Sequence, residues 1–308
     1  MPSQLATLRI VDEVLTNIAR GYTNASFVGT SLFPVVEVTK EGGKIPQFTA
    51  EAFKIYNTER AIRSKSNRIS PEGRTTIDYV LTEHDLEYPM DYREVEEDVA
   101  NLELHASMVA ADGIQLRLEK LIADQAQNLA NFPTGNKVTL SSGDKFTNIS
   151  SDPIAVFDTA KNAVRSKIAK EPNVCVLGAS AFQALKNHPL ILDRIKFTQH
   201  AIVTEELLRV LLQFDQLFVG KAVYISDAGI FTDLWADNVV LAFVPQTQQN
   251  VARNIYEPSF AYTLRKKGNP FVDKYDEGGK IHLVRATDNF VSKIVGSEAG
   301  YLINDTNI

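Results

Sequence analysis

The side chains of this sequence that are most capable of catalysis are dispersed along the chain rather than grouped. None of the histidines has the spacing of a metal ligand or a glutamate at the offset that zinc enzymes use; they are His84, His105, His188, His200 and His282. The sequence has neither a phosphate-binding loop ending in Gly-Lys-Ser/Thr nor a dinucleotide-binding glycine fingerprint after a strand. These patterns predict no catalytic, cofactor-binding or metal-binding residues.

Ser180 has the surroundings that come nearest to those of a nucleophile. It lies in Gly178-Ala179-Ser180-Ala181-Phe182, between a predicted strand and a predicted helix, where a hydrolase places its reactive serine. The strained turn of such enzymes needs small residues on both sides of the serine, and Phe182 replaces the final glycine. We therefore interpret Ser180 as a helix cap. An α/β hydrolase-like enzyme centred on this part of the chain is a minor alternative.

An acidic turn and a single thiol are the other reactive groups. Asp273, Asp276 and Glu277 stand beside two glycines and could bind a hard cation, but a solvated turn is the simpler interpretation. Cys175 lies within the apolar run 173–177, which predicts a buried, inert thiol. One cysteine excludes an internal disulfide framework and indicates a reducing compartment.

The overall composition is that of a soluble globular protein. With 308 residues, 44% hydrophobic and 23% charged, the chain can form one large domain or two modest ones. The formal net charge of −6 gives no cationic field for wrapping nucleic acid. No basic segment leads into an apolar core at the N-terminus, and no window approaches the ~18 apolar residues of a membrane helix. We expect a chain that is made in the cytosol and needs no membrane.

Charge is strongly segregated along the first half of the sequence. Residues 40–74 carry eight basic and four acidic side chains, whereas residues 83–124 carry three basic and twelve acidic ones. Two independently solvated surfaces would explain this pattern. An electrostatic contact between copies, here called a lock, would explain it as well: a polar, basic loop of one copy would lie over the acidic start of a helix in the next copy. The loop residues of this hypothesis are Arg60, Arg63, Lys65, Arg68 and Arg74, and the acceptors are Glu94, Glu96, Glu97 and Asp98.

The first secondary-structure elements predicted from the sequence are an N-terminal arm and a β-hairpin. Apolar residues recur at three- and four-residue steps in a predicted amphipathic helix, at Leu5, Leu8, Val11, Leu15 and Ile18. Residues 27–38 are apolar and β-branched and predict an extended arm that needs a surface to lie against. Segments 44–48 and 76–82 predict the two strands of a hairpin whose long connection has few large apolar residues.

A very long helix and a mixed block follow. Apolar periodicity predicts one helix from 93 to 131, about 55 Å long at 1.5 Å per residue. Helices and strands then alternate between 152 and 244, beginning with a helix that Asp152 is predicted to cap. From 261 onward the β-like segments Tyr262–Leu264, Ile281–Val284 and Phe290–Val295 follow. The pattern predicts an α+β fold.

Taken together, these features resemble the major capsid proteins of tailed bacteriophages, which have the Hong Kong 97-type (Johnson) fold. The resemblance covers nearly the whole chain. Its most specific segments are Val14–Tyr22, Leu32–Val36, Gly42–Pro46, Tyr262–Arg265 and Gly300–Ile303.

The resemblance implies a division of the chain. Residues 1–43 would form an N-terminal arm and 44–82 an extended loop over the adjacent subunit. Residues 83–150 and 255–308 would form a peripheral domain with its spine helix at 93–131, and 151–254 an axial domain. The arm residues expected to contact a neighbouring copy are Phe27, Val28, Leu32, Phe33, Val35 and Val36.

The function implied is structural rather than enzymatic. Such a protein would self-assemble through pentamers and hexamers into an icosahedral shell around double-stranded DNA, without sequence-specific binding. Its location would be the virion capsid, assembled in the host cytoplasm, with scaffolding and portal proteins as partners. An encapsulin-like nanocompartment shell, which shares the fold, is the main alternative.

Overall fold

Two β-sheets and one long helix position the rest of the chain. The computed structural model describes residues 27–47, 58–60, 65–68, 76–97, 101–195, 203–246 and 258–307. Helices and strands are mixed along these ranges, in agreement with the predicted α+β class. In chain order the helices are α1 (Gly29–Leu32), α2 (Tyr92–Glu97), α3 (Leu102–Ala126), α4 (Pro153–Ile168), α5 (Ala179–Asn187), α6 (Pro189–Ile195) and α7 (Glu205–Leu211).

The first sheet is built around one long strand, β13 (Ile281–Ile294). One side of β13 pairs antiparallel with β11 (Ala261–Lys266) and then with β12 (Phe271–Glu277), and its other side pairs with β4 (Thr82–Asp91). Strand β1 (Val35–Val38) lies parallel to β11 and forms an edge of the sheet. The two β-like segments predicted between 281 and 295 are therefore parts of a single strand of 14 residues.

Helix α3 covers one face of this sheet. Its buried side chains recur at four-residue steps, at Ala106, Ala110, Ile114, Leu118 and Ile122. Gly113 lets the sheet approach closely, because a Cβ there would lie 2.6 Å from Leu86 Cδ1 on β4. The core formed under α3 continues into the second sheet, where it includes Val176 and Val240.

The predicted single helix from 93 to 131 is wrong at both ends. Helix α2 ends at Glu97, and α3 begins only after Asn101. The backbone of Asn101 is left-handed (φ 67°), and its side chain caps α3 by accepting a hydrogen bond from Leu104 N. At the C-terminal end α3 stops at Ala126 and a separate 3-10 turn covers 129–131. With 25 residues, α3 is about 37 Å long. Apolar periodicity continues through both breaks, so periodicity alone could not locate them.

The second sheet gathers strands from distant parts of the sequence. Its order is β5 (Lys137–Thr139), β14 (Gly300–Asn304), β10 (Val239–Ala242), β6 (Val174–Gly178) and β7 (Gln216–Gly220). All residues of β6 and β10 are buried. The sheet crosses the predicted axial-domain limits of 151 and 254, because β10 takes its second partner, β14, from the C-terminus. Strand β7 was not predicted.

The local signals of this block are mostly confirmed. Asp152 caps α4 as predicted, by accepting from Ile154 N and Ala155 N at 3.1 Å. Thr204, which was predicted as the first residue of a helix, is the N-cap of α7. Cys175 is fully buried, and burial raises the pKa of its thiol, as expected of an inert side chain. Ser180, however, is not a cap: α5 begins at Ala179, and Ser180 Oγ donates to the Ala236 carbonyl oxygen.

The acidic turn predicted near 278 connects β12 to β13. Asp273 is buried in a bidentate ion pair with Arg285, and Asp276 contacts His282 Nδ1, so side chains of the chain itself engage both acids. Across the described ranges, no group of three or more His, Cys, Asp or Glu side chains is arranged to hold a metal ion. No helix within those ranges is both long and apolar enough to cross a membrane.

The carboxyl end of β6 is packed too tightly for any side chain, so Gly178→Ala should destabilise the subunit. A Cβ at 178 would lie 2.0 Å from the Ala236 carbonyl oxygen, a backbone atom that cannot rotate away. We expect a loss of roughly 1–3 kcal/mol or more in the free energy of unfolding, measured by urea denaturation of the unassembled subunit. Gly143→Ala is the matched control, because no atom lies within 4 Å of its Cβ position. Equal stabilities of the two variants would contradict this packing.

Candidate assembly surfaces

The end of the arm is fixed by a buried carboxylate on α3. Glu119 Oε1 accepts hydrogen bonds from Val28 N and Gly29 N at 3.0 Å, and its Oε2 accepts from Gly29 N at 2.8 Å. The indole Nε1 of Trp235 donates to Oε1 at 2.7 Å. Three segments far apart in sequence therefore meet at one side chain. We call this cluster of Val28, Gly29, Glu119 and Trp235 the arm anchor.

The geometry of the arm anchor requires a glycine at position 29 and several N–H donors around the Glu119 carboxylate. Gly29 has no space for a side chain, because a Cβ would lie 2.7 Å from Glu119 Oε2 and 2.9 Å from Ile122. Burial raises the pKa of the Glu119 carboxyl, whereas the N–H donors of Trp235, Val28 and Gly29 lower it. A carboxylate out of water is tolerated only with such donors.

Most of the arm residues predicted to contact a neighbouring copy are buried within this chain itself. Val28, Leu32, Phe33 and Val36 are at most 7% exposed and belong to the chain's own core. Phe27 and Val35 are half-buried on the same body. The apolar run finds its surface within the chain, because β1 pairs with β11 and Phe33 packs edge-on against Phe260. The described part of the predicted arm, from residue 27 onward, therefore packs on the chain's own body, and residues 1–26 lie outside the described ranges.

The predicted hairpin is present at its base. Strand β2 (Gly42–Pro46) pairs antiparallel with β3 (Thr76–Val80). Ile45 and Tyr79 are buried against Tyr262 on the first sheet. Beyond this base the three loop cations that the structure describes are all exposed: Arg60, Lys65 and Arg68. Arg63 and Arg74 lie outside the described ranges.

The predicted acidic acceptors lie on α2, directly after β4. Glu94, Glu96 and Glu97 are exposed, and Asp98 lies outside the described ranges. Glu94 Oε2 accepts from Asp91 N at 3.0 Å and so helps to cap its own helix. The side-chain carboxylates of Glu96 and Glu97 have no hydrogen bond or ion pair to any residue that the structure describes. Both are therefore available to a partner.

Sequence reasoning missed the extension of this acidic surface along β4. Glu83, Asp85 and Glu87 alternate along the strand and are exposed. Glu87 is partly neutralised, since Arg285 lies 3.5 Å away and Tyr275 donates to it. The two-residue spacing of these acids was the signal that could have revealed one charged strand face. We call the exposed acids of β4 and α2 together the acidic surface.

Sequence reasoning also missed an exposed apolar hairpin. Strands β8 (Val223–Ile225) and β9 (Phe231–Asp233) pair antiparallel and are joined by a turn with Gly229 in a left-handed conformation (φ 75°). Four large apolar side chains are solvent-exposed, by fractions between 44% and 71%: Val223, Ile225, Ile230 and Phe231. Contiguous exposed apolar side chains of this kind mark interaction sites.

Ser180 and His188 line one shallow pocket but do not form a catalytic pair. His188 Nδ1 accepts from Leu190 N at 3.3 Å, and its Nε2 lies 3.1 Å from the Asn148 carbonyl oxygen and 3.3 Å from Ser151 Oγ. The imidazole is thus occupied by structural contacts, and the Ser180 hydroxyl donates elsewhere. The geometry gives no support to the hydrolase alternative.

Comparisons with known proteins agree with a role carried by surfaces rather than by a reactive cleft. The family model described as phage major capsid protein E matches residues 7–278. A major capsid protein of Burkholderia phage BcepMu is 52% identical over 304 residues, which cover 99% of each chain. A solved phage-related protein from Bordetella bronchiseptica RB50 has a TM-score of 0.81 and 33% identity, over 97% of this chain and 98% of that one.

More distant structures show the fold alone. Capsid proteins of several phages share it, and the fold is of the Hong Kong 97 type, as predicted. The holo-SrpI encapsulin of Synechococcus elongatus PCC 7942 has a TM-score of 0.52 at 12% identity, over 97% of this chain and 96% of that one. Because the strong sequence likeness is to a phage capsid protein, the encapsulin alternative is not better supported.

Removal of the negative charge from the arm anchor should loosen the arm. In Glu119→Gln, an amide NH₂ replaces one carboxylate oxygen and faces N–H donors instead of accepting from them. We expect a loss of about 1–3 kcal/mol in the free energy of unfolding, and a shift in the emission of Trp235, the only tryptophan. Both are measured during urea unfolding of the unassembled subunit.

Asp124→Asn is the control for this substitution, because Asp124 lies on the same helix, is exposed and pairs only with Lys120. It should change stability by less than about 0.5 kcal/mol. If Glu119→Gln behaves like this control, the anchor does not hold the arm.

Proposed function

The chain belongs to the phage major capsid protein E family, and from this premise we propose that its copies assemble through pentamers and hexamers into an icosahedral shell around double-stranded DNA. It is a major capsid protein of a tailed phage, a structural protein of the virion. The observation that carries the proposal for assembly is the β2–β3 hairpin. Its base is buried on the chain's own sheet, whereas the described cations beyond it are all exposed.

A loop whose sequence has few large apolar residues is suited to lie on another copy. The described cations beyond the hairpin base are exposed to solvent: Arg60, Lys65 and Arg68. On the acidic surface, Glu96 and Glu97 are exposed as well. We infer that the loop of one copy covers the acidic surface of the next. Complementary potentials of this kind guide encounter and set register more than they add affinity.

The weakness of each contact fits a shell. An exposed ion pair contributes about 0–1 kcal/mol, too little for a stable dimer. In a ring, one patch of each copy meets a different patch of the next, and the ring closes by rotation. Many such contacts act together once the first has formed. Weak, repeated contacts also allow a misplaced subunit to leave.

The proposal extends to the contents and the partners of the shell. A net charge of −6 gives the subunit no general attraction to DNA, so the genome would be enclosed without sequence-specific contacts. Scaffolding and portal proteins are the proposed partners, since heterologous contacts alone do not fix the size of a closed shell. Assembly is proposed to take place in the host cytoplasm.

Reversal of the loop charges should prevent assembly while the subunit stays folded. The triple variant Arg60→Glu, Arg63→Glu, Arg68→Glu would place like charges over the acidic surface. We expect subunits or small oligomers in place of megadalton particles in sedimentation and electron microscopy. Circular dichroism should match that of the wild type, because the described positions are exposed.

A second reversal distinguishes this lock from a general effect of charge. Glu94→Lys, Glu96→Lys and Glu97→Lys alone should also block assembly, and the two triple variants combined should restore particles. Lys186→Glu with Arg194→Glu, which reverses exposed charges on α5 and α6, should leave assembly intact. Normal particles from the loop variant alone would contradict the proposed lock.

The contents of the particle test the proposed role directly. Shells purified from a phage lysate should contain double-stranded DNA that resists added nuclease until the shell is opened. Gel electrophoresis of the opened particles, with and without nuclease, makes the measurement. Particles that hold protein cargo and no DNA would favour the encapsulin-like alternative instead.

A further inference from the structure

The apolar face of the β8–β9 hairpin has no cover within the described part of the chain. In the register of the hairpin, Ile225 lies opposite Phe231 and Val223 opposite Asp233, so these side chains share one face. Phe231 is 71% exposed and Ile225 is 61% exposed. Soluble proteins usually cover such a group of large apolar side chains with a partner.

The other face of the hairpin is turned towards α3. Because successive side chains of a strand point to opposite faces, Tyr224 lies on the face opposite to Ile225. Its ring centroid lies 5.2 Å from Lys120 Nζ on α3. Lys120 is the neighbour of Glu119 in the arm anchor. Strand β9 continues through the buried Leu234 directly into Trp235, the indole donor of that anchor. The base of the hairpin is thus adjacent to the anchor.

The first described residue, Phe27, is also at this point. Val28 N and Gly29 N bind the same carboxylate as Trp235 Nε1, so the start of the described chain and the base of the hairpin are held together. Phe27 packs half-buried beside them in the core under α3. Residues 1–26 lie outside the described ranges, and their sequence predicts an amphipathic helix whose apolar stripe runs from Leu5 to Ile18.

We propose that the amphipathic segment Leu5–Ile18 packs its apolar stripe on the Val223, Ile225 and Phe231 face of the hairpin in the same chain. The contact goes beyond shell assembly and forms in the free subunit. It would cover the exposed apolar face before assembly begins.

The length of the connection and the size of the patch both favour this occupant. The nine residues from 19 to 27 span at most about 30 Å, enough to reach a face next to the anchor. A short tether gives an effective concentration in the millimolar range. The patch has only four large apolar side chains, well short of the ~800 Å² per partner of a free-standing interface. A tethered segment of the same chain needs no such area.

Photo-crosslinking from position 231 tests the contact. Benzoylphenylalanine replaces Phe231 in the full-length, unassembled subunit, and cross-linked peptides are identified by mass spectrometry after irradiation. An equal mixture of ¹⁵N-labelled and unlabelled subunits distinguishes contacts within a chain from contacts between chains. We expect cross-links to peptides from residues 1–20, with both peptides of each pair carrying the same label.

Three outcomes would overturn the proposal: no cross-link to residues 1–20, cross-links mainly to other segments, or pairs of mixed label in about half of the products. The last would place the segment on a neighbouring copy. None of these outcomes bears on whether particles form, so the proposed shell function is tested separately.

A pair of variants checks that the apolar stripe makes the contact. Leu8→Asp with Leu15→Asp should lower the cross-linking yield at least tenfold. Ala6→Asp with Asn17→Asp adds the same charge on the side of the predicted helix away from the stripe and should keep the wild-type yield. Both pairs lie outside the described core, so neither should change its circular dichroism. Equal loss of yield in the two variants would overturn the role of the stripe.

Discussion

One buried carboxylate determines how the parts of this subunit are arranged. Glu119 is 2% exposed and holds the end of the arm and the indole of Trp235 on the same two oxygens. An isolated buried carboxylate is costly, and that cost falls only when several donors converge on it. The anchor therefore favours one arrangement of arm, spine helix and hairpin base over looser alternatives.

The rigid frame around the anchor explains why the outer features can be left uncovered. Strand β13 pairs along its length with β4, β11 and β12, and the core under α3 continues into the second sheet. This body supplies its own stability. The β2–β3 hairpin and the acidic surface can then be exposed without unfolding the subunit, which suits the proposed assembly into a shell.

The open edge of the first sheet shows how assembly and unwanted association are kept apart. Among the described strands, β4 pairs only with β13, so its other edge is free. A free, long edge invites strand pairing between molecules. Glu83, Asp85 and Pro89 on β4 oppose such pairing, while the same acids extend the surface available to a cationic loop. Charge at this edge opposes pairing with another strand and, in the proposed lock between copies, also helps to select the partner.

The sequence by itself determined the features that depend on neighbours along the chain. The cap Asp152, the alternation of the β2–β3 hairpin and the burial of Cys175 are local signals, and so were readable. The capsid family was recognisable from several short segments. Tertiary structure alone decided that residues 27–38 lie on their own body, that β14 completes the second sheet, and that α3 stops short of both predicted ends. It also decided that Glu119, one acid among twelve between residues 83 and 124, is buried. These outcomes depend on pairing and burial between segments as far apart in sequence as Val35 and Thr263, and no local pattern encodes such distances.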